Sequence, residues 1–134
     1  MAEFFDVLAK QYRIAAFFLF GSQARGRGRR DSDMDIAILP GRTLTAHEED
    51  ALYIALGKGL AHARIDMVNL QTAPLLLKYA VIRHGRCLAS YDDDAVTQFI
   101  VRTRSEYLDT EHLRSIFARH QSKRIAEGSF GAPQ

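Results

Sequence analysis

The apolar and polar residues of this chain form two kinds of pattern, short apolar runs and longer segments with helical spacing. Short runs bounded by turn residues are typical of buried strands, and apolar repeats of three and four residues are typical of amphipathic helices. Strands are predicted over residues 14–20, 34–39, 64–70 and 87–89. Helices are predicted over residues 3–12, 45–60 and 72–84, with a further helical pattern from 95 to about 126. The alternation of strands with helices indicates an α/β (α+β) fold.

The chain of 134 residues is expected to form one domain, residues 1–134. Its core is predicted over about 3–90, a C-terminal helical extension over about 91–126, and a frayed tail over 127–134. Apolar residues recur along the extension at roughly helical spacing, and a break is predicted near Asp109 and Thr110. This apolar stripe either completes the core or forms part of an interface.

The predicted helix 45–60 begins with a capping box and carries two glycines near its end. Thr45 and Glu48 have the three-residue spacing at which each side chain binds the backbone N–H of the other. Gly57 and Gly59 each weaken a helix locally. Two interpretations of these glycines stay open, close packing on the sheet and a nucleotide-binding glycine motif.

Composition and charge limit the functions open to the chain. It is 47% hydrophobic and 25% charged, which is typical of a globular protein, and its apolar runs are shorter than the ~18 residues that span a membrane. The N-terminal residues lack the basic start and cleavage site of a signal peptide, so a cytoplasmic location without a membrane partner is expected. The single cysteine, Cys87, is expected to be a small buried side chain rather than a nucleophile. The net charge of +2 does not predict strong direct nucleic-acid binding.

The segment between the first two predicted strands has the composition of a phosphate site. Gly21 suits a sharp exit from a strand, and Ser22 suits the N-cap of a short helix over 23–25. Such a turn presents free N–H groups to an anion, and phosphate is the usual guest. Four arginines crowd the same segment: Arg25, Arg27, Arg29 and Arg30. They either attract a nucleotide triphosphate or another anionic partner, or form a solvated basic loop that offsets the neighbouring acids.

Two acids follow at the start of the second strand. Asp33 and Asp35 are two residues apart, so both side chains leave the same face of a strand. Two carboxylates held ~4 Å apart repel by roughly 4 kcal/mol at an effective dielectric of about 20, which favours a cation between them. Magnesium takes carboxylate oxygens and shares substrate phosphates. A phosphate turn beside a metal-binding acid pair predicts phosphoryl or nucleotidyl transfer; the alternative is a pair of ordinary strand-edge acids.

These residues also carry a family resemblance. GSQARG at 21–26 and SDMDI at 32–36 resemble the signature of the polymerase-beta-type nucleotidyltransferases, and the small size is similar to their minimal nucleotidyltransferase (MNT) group. The resemblance covers roughly residues 4–89. It implies a small mixed β-sheet packed by helices, a C-terminal helical extension, and a third acid on a neighbouring strand, which Asp66 fits. It assigns catalysis and metal binding to Asp33, Asp35 and Asp66, and nucleotide binding to Gly21, Ser22 and Arg25.

The resemblance further implies an activity and a partner. MNT proteins are commonly encoded beside a HEPN-domain ribonuclease toxin, which they inactivate as antitoxins by transferring AMP from ATP to a tyrosine. We therefore expect a magnesium-dependent protein adenylyltransferase in a hetero-oligomer with a HEPN toxin. Two alternatives stay open: a non-catalytic antitoxin that neutralises its partner by binding, and a nucleotidyltransferase with a small-molecule or RNA acceptor.

Overall fold

Helices and strands follow the order expected from the sequence in the computed structural model, which describes residues 2–21, 34–60 and 64–126. The strands are β1 (Ile14–Phe20), β2 (Met34–Pro40), β3 (Ile65–Asn69) and β4 (Arg86–Ser90). The helices are α1 (Ala2–Tyr12), α2 (Ala46–Leu60), α3 (Leu75–His84) and α4 (Asp93–Ala126). The observed ends differ from the predicted ones by a few residues, which is usual where helices fray.

The strands of the described residues form one mixed sheet in the order β3-β2-β1-β4. β1 lies antiparallel to both β2 and β4, whereas β2 lies parallel to β3. A parallel pair needs a crossover connection, and α2 lies between β2 and β3 in the chain. The mixed sheet packed by helices, with a helical C-terminal extension, is thereby confirmed.

Helices cover both faces of the sheet and divide the core in two. The cluster on one face joins α1 and α2 to the sheet through Phe5, Phe17, Ile36, Leu52 and Leu56. The cluster on the other face joins α3 and α4 to the sheet through Phe18, Leu39, Val81, Val96 and Phe99. Because side chains of a strand alternate between faces, β1 and most of β2 are buried along their length. The ends of β1 and β2 at the predicted site, Phe20 and Met34–Asp35, are only half-buried.

The capping box at the start of α2 is confirmed. The N–H of Thr45 donates to Glu48 Oε1 at 3.0 Å, and the N–H of Glu48 donates to Thr45 Oγ1 at 3.1 Å. The guanidinium of Arg42 also donates to both carboxylate oxygens of Glu48. These interactions, the hydrogen bond from Arg42 first and that from the Thr45 N–H second, lower the pKa of Glu48 to about 2.

The two glycines of α2 have different surroundings. A Cβ atom at Gly59 would overlap the ring of Phe4, so the expected close packing is made with α1 and not with the sheet. A Cβ atom at Gly57 would meet no atom of the described chain within 4 Å. Gly57 is therefore available as a control position for glycine replacements elsewhere.

The predicted break in the C-terminal helix is wrong, because α4 runs without interruption through Asp109 and Thr110. The Thr110 hydroxyl donates to the Tyr107 carbonyl at 2.9 Å, which satisfies this polar side chain within the helix. Arg114 lies over the Tyr107 ring, 4.0 Å from its centroid, and that ring stacks on Tyr79 of α3 with centroids 3.7 Å apart. Across the described ranges, no helix combines the length and the apolar character that a membrane span needs.

Only the first part of the apolar stripe on α4 completes the core. Val96 and Phe99 pack against the sheet, whereas Leu113, Ile116 and Phe117 are exposed. The core interpretation is therefore wrong for the last part of the stripe, and the interface interpretation stays a prediction. The burial expected for Cys87 is also wrong: it is exposed on β4, the outermost described strand on that side of the sheet.

Replacing Glu48 by Gln is expected to destabilise the fold at neutral pH and to lose this effect in acid. Folding lowers the pKa of Glu48 from 4.5 to about 2, so its carboxylate stabilises the fold above pH 4.5. That contribution is lost as the pH falls from 4.5 through about 2, and below that pH both proteins carry an uncharged side chain. Thermal unfolding of both proteins across this pH range measures the difference.

The matched control for this measurement is Glu106→Gln, which makes the same change at an exposed position of α4. It should show little difference in Tm at any pH. A Glu48→Gln difference that stays constant down to about pH 2 would contradict the role assigned to the Arg42 and Thr45 interactions.

Candidate active site

The end of β1 brings a glycine against a carboxylate of β2. Gly21 has a φ of 79°, in the left-handed region that favours glycine. The antiparallel register sets Phe20 opposite Asp35, so the backbone that leaves β1 starts beside the Asp35 side chain. A Cβ atom at Gly21 would overlap Asp35 Oδ2. Glycine is therefore required here both for its backbone angle and for the close approach of the carboxylate.

The parallel register of β2 and β3 adds a second carboxylate. Asp35 is the direct partner of Asp66 in this register. Paired residues on neighbouring strands project to the same face, with their backbones about 4.8 Å apart. Asp35 is half-buried on an inner strand, whereas Asp66 is exposed on the outer one. Gly21, Asp35 and Asp66 consequently form a row across the ends of three adjacent chain segments.

The chemistry of this row fits a magnesium ion shared with a phosphate ligand. Carboxylate oxygens are the ligands that Mg²⁺ prefers, and it commonly takes one or two of them together with substrate phosphates and water. Within residues 2–21, 34–60 and 64–126, there is no group of three or more His, Cys, Asp or Glu side chains that could hold a metal ion by itself. Asp35 and Asp66 could each supply carboxylate oxygens to such an ion.

The other half of the predicted site lies outside the described residues. Three predicted site residues fall there: Ser22, Arg25 and Asp33. The N-cap and phosphate turn at Ser22, the nearby Arg25, and the pairing of Asp33 with Asp35 therefore stay predictions. The remaining three lie side by side at one end of the sheet: Asp35 and Asp66 on paired strands, and Gly21 in the turn directly after β1.

Beside Asp66 is a feature that the sequence analysis missed. An open depression of about 310 Å³ lies between α2 and β3. Its lining residues are Glu49, Asp50, Tyr53, Asp66 and Met67. The helical spacing of α2 was the available signal. It places Glu49, Asp50 and Tyr53 on a different side of the helix from the buried residues Leu52 and Leu56. Acids at the start of a helix are usual, so this signal did not single out a site.

One wall of the depression is held by a buried amide. Asn69 is only 9% exposed, and its Nδ2 donates to Glu49 Oε1 at 2.7 Å. Its other amide atom, Oδ1, accepts from the N–H of Gln71 at 2.8 Å. The two bonds fix the orientation of the amide, and the amide in turn fixes the Glu49 carboxylate without neutralising its charge.

The chain is similar to known nucleotidyltransferases in both sequence and structure. The family described as "Polymerase beta, Nucleotidyltransferase" matches residues 3–94. Protein adenylyltransferase MntA of Shewanella oneidensis is 33% identical over 104 residues, which cover 77% of this chain and 70% of MntA.

Two solved structures extend the similarity into α4. A crystal structure of a toxin–antitoxin with AMP-PNP matches with a TM-score of 0.73 and 27% identity, covering 90% of this chain and 97% of the other. A crystal structure of the toxin–antitoxin MntA-HepT matches with a TM-score of 0.66 and 25% identity, covering 88% and 93%. The matched family spans more than half of the chain and includes the whole row of Gly21, Asp35 and Asp66. This chain belongs to the polymerase-beta-type nucleotidyltransferases, as a minimal member similar to the MntA antitoxins of HEPN–MNT toxin–antitoxin pairs.

Proposed function

We propose that this protein transfers AMP from ATP to a tyrosine hydroxyl of a HEPN-domain ribonuclease toxin and thereby acts as its antitoxin. The observation that carries the proposal is the contact of Gly21 with the Asp35 carboxylate, beside Asp66 in register. This arrangement sets the backbone that leaves β1 against one carboxylate, Asp35, with a second carboxylate, Asp66, on the next strand. Such carboxylates suit a metal that is shared with a phosphate. The 33% identity to a protein adenylyltransferase supports the reaction, and the likeness to a toxin–antitoxin with AMP-PNP supports the partner and the nucleotide.

The reaction would proceed by displacement at the α-phosphorus of ATP. The acceptor oxygen forms a bond to this phosphorus, the bond between the α-phosphorus and the bridging oxygen breaks, and pyrophosphate leaves. Asp66, the more exposed of the two described acids, accepts the proton of the acceptor hydroxyl. Asp35, with Asp33 and Asp66, would hold magnesium, which neutralises the charge of the phosphates when bound.

The nucleotide would bind on the Gly21 side of this row. The N–H groups that follow Gly21, together with Ser22, cradle the terminal phosphates in the proposal, and Arg25 adds a positive charge near them. Asp35, half-buried on β2, would hold magnesium, and the ion when bound would offset the repulsion between this carboxylate and the phosphates. Because β2 is flanked by strands on both sides, Asp35 is held in place relative to both Gly21 and Asp66.

Removal of either described carboxylate is expected to abolish the transfer. The chain is expressed with the protein encoded beside it in the presence of ATP and magnesium, and the intact mass of that neighbour is measured. An added adenylyl mass is expected with the wild type. With Asp35→Asn or Asp66→Asn, the rate should fall roughly 100-fold or more, because several kcal/mol of charge stabilisation are lost and about 1.4 kcal/mol corresponds to a factor of ten.

The control for charge is Glu106→Gln, an exposed change on α4 that should transfer AMP at the wild-type rate. A stable complex without added mass, unaffected by either Asp variant, would show a binding antitoxin and contradict the enzyme. If neither a complex nor a modification is observed, the antitoxin role is excluded. Added mass on RNA or on a small molecule would identify a different acceptor.

Gly21→Ala is expected to impair the enzyme more than it impairs the fold. An alanine at a φ of 79° costs about 1–2 kcal/mol, and its Cβ displaces the Asp35 carboxylate. Urea unfolding should show this modest loss of stability, while adenylyl transfer falls as it does in Asp35→Asn. Gly57→Ala is the matched control, since its Cβ meets open space and alanine favours a helix by up to about 1 kcal/mol. Equal transfer by the two alanine variants would show that the Gly21–Asp35 contact is not needed.

A further inference from the structure

The carboxylates of the active-site row lie on the face of the sheet that α3 and α4 cover. Along β2, Ile36 packs in the core cluster with α1 and α2, whereas Ala37 packs in the cluster with α3 and α4. Side chains alternate between the faces of a strand, so Asp35 lies on the same face as Ala37. Asp66 is the register partner of Asp35 and shares this face. A nucleotide held through a metal on these two carboxylates is therefore bound on the α3 side of the sheet.

The last turn of α3 lies at the same end of the sheet as this row. The N–H of Gly85, which follows α3, donates to the Val81 carbonyl at 2.7 Å. A Cβ atom at Gly85 would lie 3.3 Å from the carbonyl oxygen of Leu19. Leu19 directly precedes Phe20, which is the partner of Asp35 in the pairing of β1 with β2. The last turn of α3 is thus held against the last residues of β1, on the face that carries the carboxylates.

This last turn carries two basic residues, Arg83 and His84. His84 comes three residues after Val81, and residues at this spacing share one side of a helix. Val81 is only 1% exposed in the core cluster beneath α3, whereas His84 is exposed. The sheet-facing side of α3 is therefore covered by the core at Val81 and is open at His84, at the end of the sheet where the carboxylates lie.

Basic residues at the end of a helix need a further argument, because they also stabilise the negative end of the helix dipole. Among the described residues, neither Arg83 nor His84 forms an ion pair or a side-chain hydrogen bond. A nucleotide triphosphate with one magnesium ion keeps a net negative charge, and imidazole and guanidinium groups are hydrogen-bond donors to phosphate. This turn, at the same end and on the same face as the carboxylates, supplies the donors that such a ligand requires.

We infer that the last turn of α3 binds the two terminal phosphates of the nucleotide, with His84 as a hydrogen-bond donor and Arg83 as an additional positive charge. The inference rests on the proposed function and adds to it the residues that hold the leaving group. A neutral imidazole already has one N–H, so His84 donates in either charge state. As the bond between the α-phosphorus and the bridging oxygen breaks, pyrophosphate gains negative charge, which these two side chains stabilise.

The test measures nucleotide binding by the full chain in the presence of magnesium, without an acceptor protein. AMP-PNP is titrated by calorimetry, and AMP is measured by competition against it. His84→Ala should raise the Kd for AMP-PNP roughly 10-fold, because a hydrogen bond to a charged group is lost. Arg83→Gln should raise this Kd by a smaller factor, roughly 3-fold, since its charge is exposed to solvent. The Kd for AMP, which lacks the two terminal phosphates, should stay within about twofold in both variants.

Two exposed residues away from the site provide matched controls. His47→Ala makes the same change on α2, which covers the opposite face of the sheet, and Arg13→Gln removes a positive charge just before β1, at the opposite end of that strand. Both controls should leave the Kd values for AMP-PNP and AMP within about twofold of the wild type. A role of His84 in the helix dipole alone would lower stability in urea without separating AMP-PNP from AMP.

Three results would overturn the inference. One is a Kd for AMP-PNP in His84→Ala equal to that in His47→Ala. Another is an equal weakening of AMP and AMP-PNP, which would assign His84 to the nucleoside or the α-phosphate. The third is a wild type that does not bind AMP-PNP, which removes the nucleotide site altogether. Wild-type binding of AMP-PNP without transfer of AMP to any protein would overturn the proposed function alone, so the two failures are distinguishable.

Discussion

The hydrogen-bonded register of β2 with its two neighbours is the constraint on which the site depends. β1 pairs with β2 so that Phe20 faces Asp35, and β3 pairs with β2 so that Asp66 faces it from the other side. A shift by one residue in either pairing would turn the affected acid or glycine away from the others, because side chains alternate between the two faces of a strand. Backbone pairing therefore determines which of these candidate site residues lie next to one another.

The register is itself held by the two-sided core. Phe17 and Ile36 are completely buried on one face, and Ala16 and Ala37 are completely buried on the other. A one-residue slip would drive residues chosen for one helical layer into the other. The small Ala side chains beside Phe18 and Leu39 leave room for α3 and α4 on that face. The helices thus do more than protect the sheet from solvent, since they select the one pairing that brings the acids together.

Much of this arrangement was predictable from the sequence, because the signals for individual strands and helices lie in short stretches of neighbouring residues. Apolar runs at 14–20 and 34–39 predict buried strands, and Thr45 with Glu48 predicts a helix start, because each signal depends on neighbouring residues only. The contact of Gly21 with Asp35 was not predictable in this way, because it depends on which residue of β1 faces which residue of β2. The role of Asp66 came from family resemblance, since nothing in IDMVNL states that its strand lies beside β2.

The difference between local signals and contacts distant in sequence also explains the two wrong predictions, the helix break and the burial of Cys87. Asp109 and Thr110 suggest a helix break when only neighbouring residues are considered. In the structure, the Thr110 hydroxyl donates to the Tyr107 carbonyl and the Tyr107 ring stacks on Tyr79, and α4 continues through both residues. Cysteine is usually a buried residue type, but the strand order places β4 at an edge of the described sheet, and Cys87 is exposed there. Strand order also gives the two described acids different degrees of exposure, which the amino-acid composition does not predict. Asp35 is half-buried on an inner strand and is held by neighbours on both sides, whereas Asp66 is exposed on an outer strand and is open to solvent.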